Sequence, residues 1–265
     1  MRVAVVGHVE WVDFVPVSRF PARGEVMHAV GAFSRAGGAG SVVAAMLADA
    51  GAEVDFFCAL GRDPHGEAAA AELTARGVTM HVGWREEPTR RAVTLLEGDG
   101  ERTIVTIGER LEPIGSDALA WERLNETEGA YFTAGDARAF ESARAARVLT
   151  ASPRGRSALD ENGASIDALI FSAHDSDESR WVEQIGRRAR LLVATEGERG
   201  GHWWGESHGS WHAVPPPGPP RDAYGCGDSF AAGFTLGLAA GRSVAEAARL
   251  GAQWGARALT RVGAP

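Results

Sequence analysis

The chemistry available to this sequence concentrates in Asp222-Ala223-Tyr224-Gly225-Cys226-Gly227-Asp228-Ser229-Phe230. The stretch follows a proline-rich loop and runs into an apolar segment, Phe230 to Ala240, that meets no breaker before Gly241. Gly225 and Gly227 let the backbone bend at little steric cost. The amides of Gly225, Cys226 and Gly227 can then point outward together at the positive end of a helix, a ready anion site. Asp228 stands at the lip of that site, where a carboxylate repels a resting phosphate. Its place makes sense if it takes the proton from a hydroxyl that attacks a phosphoryl group. The same residues also read as an ordinary glycine turn followed by an acidic first-turn residue, and the segment alone leaves both readings open.

The elements that must hold this stretch follow from the rest of the chain. Val3 to Val6 is a short apolar run ending in Gly7, as in a buried parallel strand. His8, Val9, Glu10 and Trp11 then alternate polar and apolar, a strand end that presents polar groups to a cleft. Ala36-Gly37-Gly38-Ala39-Gly40-Ser41 is a second glycine turn opening onto an alanine-rich helix, Val42 to Ala48, stopped by Gly51. Val54 to Leu60 reads as a strand, followed by Gly61-Arg62-Asp63-Pro64-His65-Gly66 and a helix to Arg76; His65 reads as a loop residue. Arg91 to Glu97 and Arg102 to Ile107 form a hairpin pattern across a Gly98-Asp99-Gly100-Glu101 turn.

From Ser116 onward strands and helices alternate. Strands are expected at 130–133, 148–149, 168–171 and 191–194, with helices near 117–125, 136–145, 155–160 and 175–187. This rhythm predicts an α/β fold with a parallel sheet covered on both faces, which binds ligands at the carboxyl ends of its strands. Thr195-Glu196-Gly197-Glu198-Arg199-Gly200 ends one such strand and offers a hydroxyl and amides to a nucleotide phosphate. The segment after it, 201–214, reads as a hairpin whose Trp203, Trp204 and Trp211 either pack the hairpin or cover a base. Pro215 to Pro220 is a stiff connector, and a last helix spans Val244 to Leu259.

The 265 residues suit one α/β unit, and 45% apolar content is enough for a sizeable core. A net charge of −8 disfavours nucleic acid or an anionic membrane as the main partner. Two cysteines are too few for a disulfide framework and suit a reduced, cytoplasmic protein. No apolar run reaches membrane-spanning length. No stretch fits G-x-x-x-x-G-K-[ST], so the phosphate site is not a P-loop.

D-x-x-G-x-G-D-x-F over 222–230 resembles the C-terminal signature of the ribokinase-like carbohydrate kinases, the PfkB family. Three further segments resemble that family in the same order: the paired glycines at 37–38, G-x-D-x-x-G at 61–66 and T-x-G-x-x-G at 195–200. The resemblance implies a three-layer α/β sandwich with a mostly parallel central sheet. It also implies a small β-strand lid drawn from about 12–33 and 85–108, all within a single kinase domain. It implies transfer of the γ-phosphate of ATP, with Mg²⁺, to an alcohol of a sugar. Asp228 would be the base and the amides of Gly225, Cys226 and Gly227 the anion hole. Asp13, with Glu10 as its competitor, and Gly37, Gly38 and Ser41 would bind the sugar, Ser41 standing where the family places Asn. Thr195, Gly197, Gly200 and Gln253 would bind the nucleotide. Asp222 would help hold a monovalent cation such as K⁺, and lid strands would pair two copies. The metal-site Asn and Glu of the family are not evident, although Ser172 and Asp175 stand nearby. Two other acceptor readings stay open: a nucleoside kinase with an aromatic clamp from Trp11, Phe14 and Phe33, and a silent sugar- or nucleotide-binding pseudokinase.

Overall fold

The computed structural model describes residues 1–29, 31–98, 102–185 and 188–263. Its strands in chain order are β1 (Arg2–Val6), β2 (Glu10–Pro16), β3 (Phe33–Gly37), β4 (Glu53–Gly61), β5 (Val78–Arg85), β6 (Arg91–Leu96), β7 (Arg102–Ile107), β8 (Gly129–Phe132), β9 (Leu149–Ala151), β10 (Ile166–Ser172), β11 (Ala189–Thr195), β12 (Gly201–Gly205) and β13 (Gly209–Trp211). The helices are α1 (Ala39–Asp49), α2 (Pro64–Ala75), α3 (Ala137–Ala143), α4 (Arg156–Asn162), α5 (Ser176–Ile185), α6 (Cys226–Ala239) and α7 (Val244–Ala258).

Nine strands make the main sheet in the order β13-β12-β11-β10-β9-β8-β1-β4-β5, and four make a second sheet, β3-β2-β6-β7. The main sheet is parallel from β11 through β5, and the β12–β13 hairpin adds two antiparallel strands at one edge. Alternation along β1 divides the core. Val3 and Val5 face a cluster containing residues of α1, α2, α6 and α7, whereas Ala4 and Val6 face one containing residues of α3, α4 and α5. This is the covered, three-layer arrangement that the βαβ rhythm predicts.

Local chemistry fixes the ends of these elements. Asp63 caps α2 by accepting from the amides of His65 and Gly66 at 2.9 and 2.8 Å, with Pro64 at the first helical position. His65 therefore lies in a helical turn rather than a loop. Its ring stacks against Trp11 at 6.2 Å. The strand β5 carries no signal noted in the sequence. The helix expected over 117–125 is only a 3-10 turn, Trp121–Glu126. The β6–β7 turn expected at Gly98 to Glu101 lies, beyond Gly98, outside the described residues, as does the end of the helix expected to reach Arg187. β2, β3, β6 and β7 overlap the two stretches expected to supply lid strands. No helix among the described residues is long and apolar enough to cross a membrane.

Candidate active site

The glycine turn at 225–227 opens α6 as its spacing predicts. Gly225 adopts φ 71°, ψ 6°, a left-handed conformation that a side chain would resist, and α6 begins at the next residue. Within the turn, Cys226 N donates to Ala223 O at 3.4 Å and Ser229 N to Gly225 O at 2.8 Å. The amides of Gly225, Gly227 and Asp228 meet no acceptor among the described residues. A Cβ on Gly227 would meet nothing within 4 Å, so the space beside Gly227 is open. Unengaged amides at a helix N-terminus are the chemistry that receives an anion.

Asp228 is half-buried in the first turn of α6. Its carboxylate has no hydrogen-bond or ion-pair partner among the described residues. Burial pushes its pKa above the ordinary carboxylate range, against the opposing positive charges of Arg154 and Arg102. An unpaired carboxylate raised in this way is suited to take a proton. Burial pushes the neighbouring Cys226 thiol up to about 12, so it stays protonated and is no nucleophile near neutral pH.

A cavity of about 670 Å³ lies against this turn. Its walls bring together Thr195, Gly197 and Gly200 with Cys226 and Gly227. Thr195 ends β11, and its hydroxyl donates to Phe171 O at 3.2 Å. Gly200, at φ 92°, is required by close packing, because a Cβ there would fall 2.1 Å from Trp211 O. Another wall is a stripe of α7 comprising Ala252, Gly255 and Ala256, continued by Leu259 just past its end. Gln253 is exposed and absent from that wall. The helix phase turns its small neighbours inward instead. Of the three tryptophans, only Trp211 lines the cavity. It stacks on Phe230 at 5.0 Å and Trp203 at 6.3 Å, so hairpin packing and cavity lining coincide in one ring.

The second glycine turn is built as tightly. Gly38 has φ 87°, and a Cβ there would press on the His8 ring at 3.0 Å. A Cβ on Gly37 would lie 2.6 Å from the Tyr224 hydroxyl. That hydroxyl accepts from Gly38 N at 3.1 Å, which joins this turn to the turn before α6. The buried Ser41 hydroxyl turns back onto the carbonyls of Gly37 and Gly38 and caps the turn instead of projecting from it.

Strand parity separates the two acidic candidates of β2. Asp13 accepts from Ser34 Oγ at 2.5 Å and pairs with Arg91 at 2.6 Å; these bonds outweigh burial and hold its carboxyl below the usual range. Glu10 lies on the other, buried face, 3.6 Å from His8 and 3.4 Å from Arg90. Burial raises its pKa, and the charge of Asp228 adds to the effect. Glu10, not Asp13, therefore shares the surroundings of Asp228.

Both carboxylate oxygens of Asp222 accept from the backbone, one from Tyr224 N and the other from Gly263 N, each at 2.8 Å. Its side chain therefore braces the turn. Among the described residues no three His, Cys, Asp or Glu side chains gather as a metal site. Two charged groups escaped sequence reasoning. Arg154, in the 3-10 turn after β9, is the strongest positive influence on Asp228. Glu178, in α5, has its carboxyl raised by burial and by Asp175 and Asp228, and it accepts from Ser172 N at 2.9 Å. Glu178 stands six residues after Ser172, too far for the local spacing considered around Ser172 and Asp175.

Comparison with known proteins places these features in a wider set. A profile described as pfkB family carbohydrate kinase matches residues 1–149 and 162–265. A ribokinase of Arabidopsis thaliana is 31% identical over 126 residues, which span 46% of this chain and 32% of the relative. Acarbose 7(IV)-phosphotransferase of an Actinoplanes species is 28% identical over 257 residues, covering 85% of this chain and 81% of that one. The fold matches a structure of Arabidopsis thaliana ribokinase complexed with ribose and ATP at a TM-score of 0.78 and 22% identity, over 99% of this chain and 93% of the other.

Proposed function

From the premise that the chain belongs to the pfkB family of carbohydrate kinases, we propose that it transfers the γ-phosphoryl group of ATP to an alcohol of a sugar-like acceptor. The observation that carries this reading is the unpaired, pKa-raised carboxylate of Asp228 beside the unengaged amides at the start of α6. Asp228 takes the proton of the attacking hydroxyl, a contribution of about 10²–10⁴ in rate. The unengaged amides of Gly225 and Gly227, joined by that of Cys226 once it leaves its 3.4 Å bond to Ala223 O, hold the charge that builds on the transferring group, and loss of one such donor typically costs about 3–4 kcal/mol.

The walls around Thr195, Gly197 and Gly200 and the α7 stripe receive the nucleotide, whose bound form supplies the phosphoryl group. Glu178 fits Mg²⁺ held on that nucleotide, because a cation would offset the burial, and the lesser repulsion from Asp175 and Asp228, that raise its carboxyl. Asp222 stays with its two amide donors, and no step runs through a monovalent ion. Gly37 and Gly38, which let Tyr224 and the His8 ring pack against the turn, border the acceptor's place together with Glu10. The second sheet, whose strands overlap the expected lid, excludes water that would compete for the phosphoryl group.

A nucleoside acceptor is served less well. Phe14 is fully buried, stacked on Phe33 at 5.0 Å and edge-on to Tyr224, while Trp11 stacks on His65, so these rings do not form an open clamp. ADP formation across a panel of sugars and nucleosides tests the activity. Asp228→Asn is expected to lose at least 10² in kcat while the ATP dissociation constant changes less than about twofold. Undiminished turnover in that variant would refute the assigned base.

A further inference from the structure

The carboxyl edge of the main sheet carries arginines that transfer to a neutral sugar does not call for. Strands β9, β8 and β1 lie side by side, and Arg154, Thr133 and His8 closely follow their respective ends. The Thr133 and Ser152 hydroxyls are 3.0 Å apart, and a Cβ on Gly7 would fall 2.6 Å from Thr133, so these strand ends are closely packed. Arg110, beyond β7, donates to the carbonyl of Arg154 at 3.2 Å. Arg90, just before β6, approaches Glu10, which is itself 3.6 Å from His8. Arginines from three separate segments thus bear electrostatically on one residue, His8, which is 3% exposed. After burial itself, the charges of Arg110, Arg154 and Arg90 keep His8 neutral.

One atom of this group is left over: His8 Nδ1 is buried without a hydrogen-bond partner, while the buried Arg90 Nε faces Glu10 at 3.4 Å without a hydrogen bond. Arg110 is paired with Glu112 and Arg90 with Glu10, but the side chain of Arg154 has no hydrogen-bond or ion-pair partner among the described residues, and the strongest charge acting on it is that of Asp228. The chain contains no lysine, so position rather than residue type is informative. On the nucleotide side of Asp228, the cavity lining contains no basic residue. A neutral polyol needs acceptors as well as donors, whereas a guanidinium only donates. Its complement is a planar or tetrahedral oxyanion bound through two parallel N–H groups.

We propose that the alcohol phosphorylated by this protein sits on a molecule that also carries an acidic group, a phosphate or a carboxylate, received by Arg154 and Arg110 beside His8. The proposal rests on the kinase reading for the location of the acceptor and on the arginines for its charge.

The test uses the purified full chain and matched pairs: ribose against ribose 1-phosphate, and glucose against gluconate. Initial rates are measured with ATP. Melting temperatures are measured with the same compounds, and with inorganic phosphate and acetate, in the presence of a saturating non-hydrolysable ATP analogue that fills the nucleotide side. The acidic member of at least one pair is expected to show kcat/KM about 10–100-fold above its neutral partner, the scale of one or two charged hydrogen bonds. Preference within the first pair identifies a sugar phosphate and within the second a sugar acid. Arg154→Gln should raise KM for the acidic acceptor about tenfold or more and leave KM for ATP within about twofold. Neutral partners turned over equally well would overturn the proposal and leave the kinase reading standing. An equal rise in KM for ATP would also overturn it, because Arg154 would then serve the nucleotide. If nothing turns over, the melting data decide. Stabilisation by an acidic compound but not its neutral partner, lost in Arg154→Gln, upholds the charge preference and rejects the kinase reading alone. No stabilisation by any acid beyond its neutral partner rejects the proposal.

Discussion

On the proposed function, Asp228 governs how activity and stability respond to pH. A base works only when ionised, so kcat/KM is expected to rise with pH through an apparent pKa above the ordinary carboxylate range. A pH–rate profile with its acid limb at the ordinary carboxylate value would contradict the burial described. The stability response has the opposite sign. A carboxyl raised in the folded state binds its proton more tightly there than in the unfolded chain. Its contribution is fully present below the unfolded pKa and is lost as pH rises through the folded one. Asp228→Asn is therefore expected to melt higher than the wild type at neutral pH, with the difference closing in acid, as read by thermal denaturation. This residue and its flanking glycines were legible because turn chemistry, charge and order all fall within nine positions. Asp13 and Gln253 were not placed by the same reasoning. Distance along the chain from a motif does not give strand parity or helix phase, and these put Glu10, Ala252 and Ala256 at the site instead.

Helices α6 and α7 meet through glycine. A Cβ on Gly237 would lie 2.7 Å from Ala247 Cα, and one on Gly251 would lie 2.7 Å from Phe230 O. The two axes therefore approach closely, and α7 can present its small-residue stripe to the cavity that α6 opens. Gly237→Ala is expected to destabilise the fold by about 1–3 kcal/mol through overpacking, measured as a lower urea midpoint with an unchanged slope. A neutral result would mean that the helices separate freely. Most elements were readable from apolar runs bounded by glycine, because strands buried on both faces are written as continuous hydrophobic stretches. β5 was harder: Thr79, His81 and Gly83 interrupt its apolar residues, and it sits at an edge of the main sheet. The 3-10 turn at Trp121–Glu126 was overread as a helix because its polar residues have helical propensity but only Leu124 is buried to hold it.

At the scale of the whole molecule, the two ends of the main sheet treat buried acids in opposite ways. Near the amino ends, Asp55 is 1% exposed and accepts from Arg123 at 2.7 and 3.1 Å, with His81 at 2.8 Å. Burial alone would raise its pKa, but these bonds outweigh burial and hold it below the ordinary range. Its contribution is present above the unfolded carboxylate pKa and lost as pH falls through the folded one. Asp55→Asn is expected to cost about 1–3 kcal/mol at neutral pH without changing kcat, as read by denaturant melts and rates on the same sample. A fall in kcat would mean that this end of the sheet is not independent of the other. The long-range pairings behind this contrast join residues as far apart as Asp55 and Arg123, which no local pattern reveals. Between the two glycine turns runs a single phenol, Tyr224, bonded to Gly38 and rooted one residue before Gly225. On the proposed function such a strut would make the partners' affinities mutually dependent: whatever the acceptor gains from bound ATP, ATP must gain from bound acceptor. Tyr224→Phe should collapse that synergy toward unity, measurable as ATP dissociation constants that no longer respond to the second substrate.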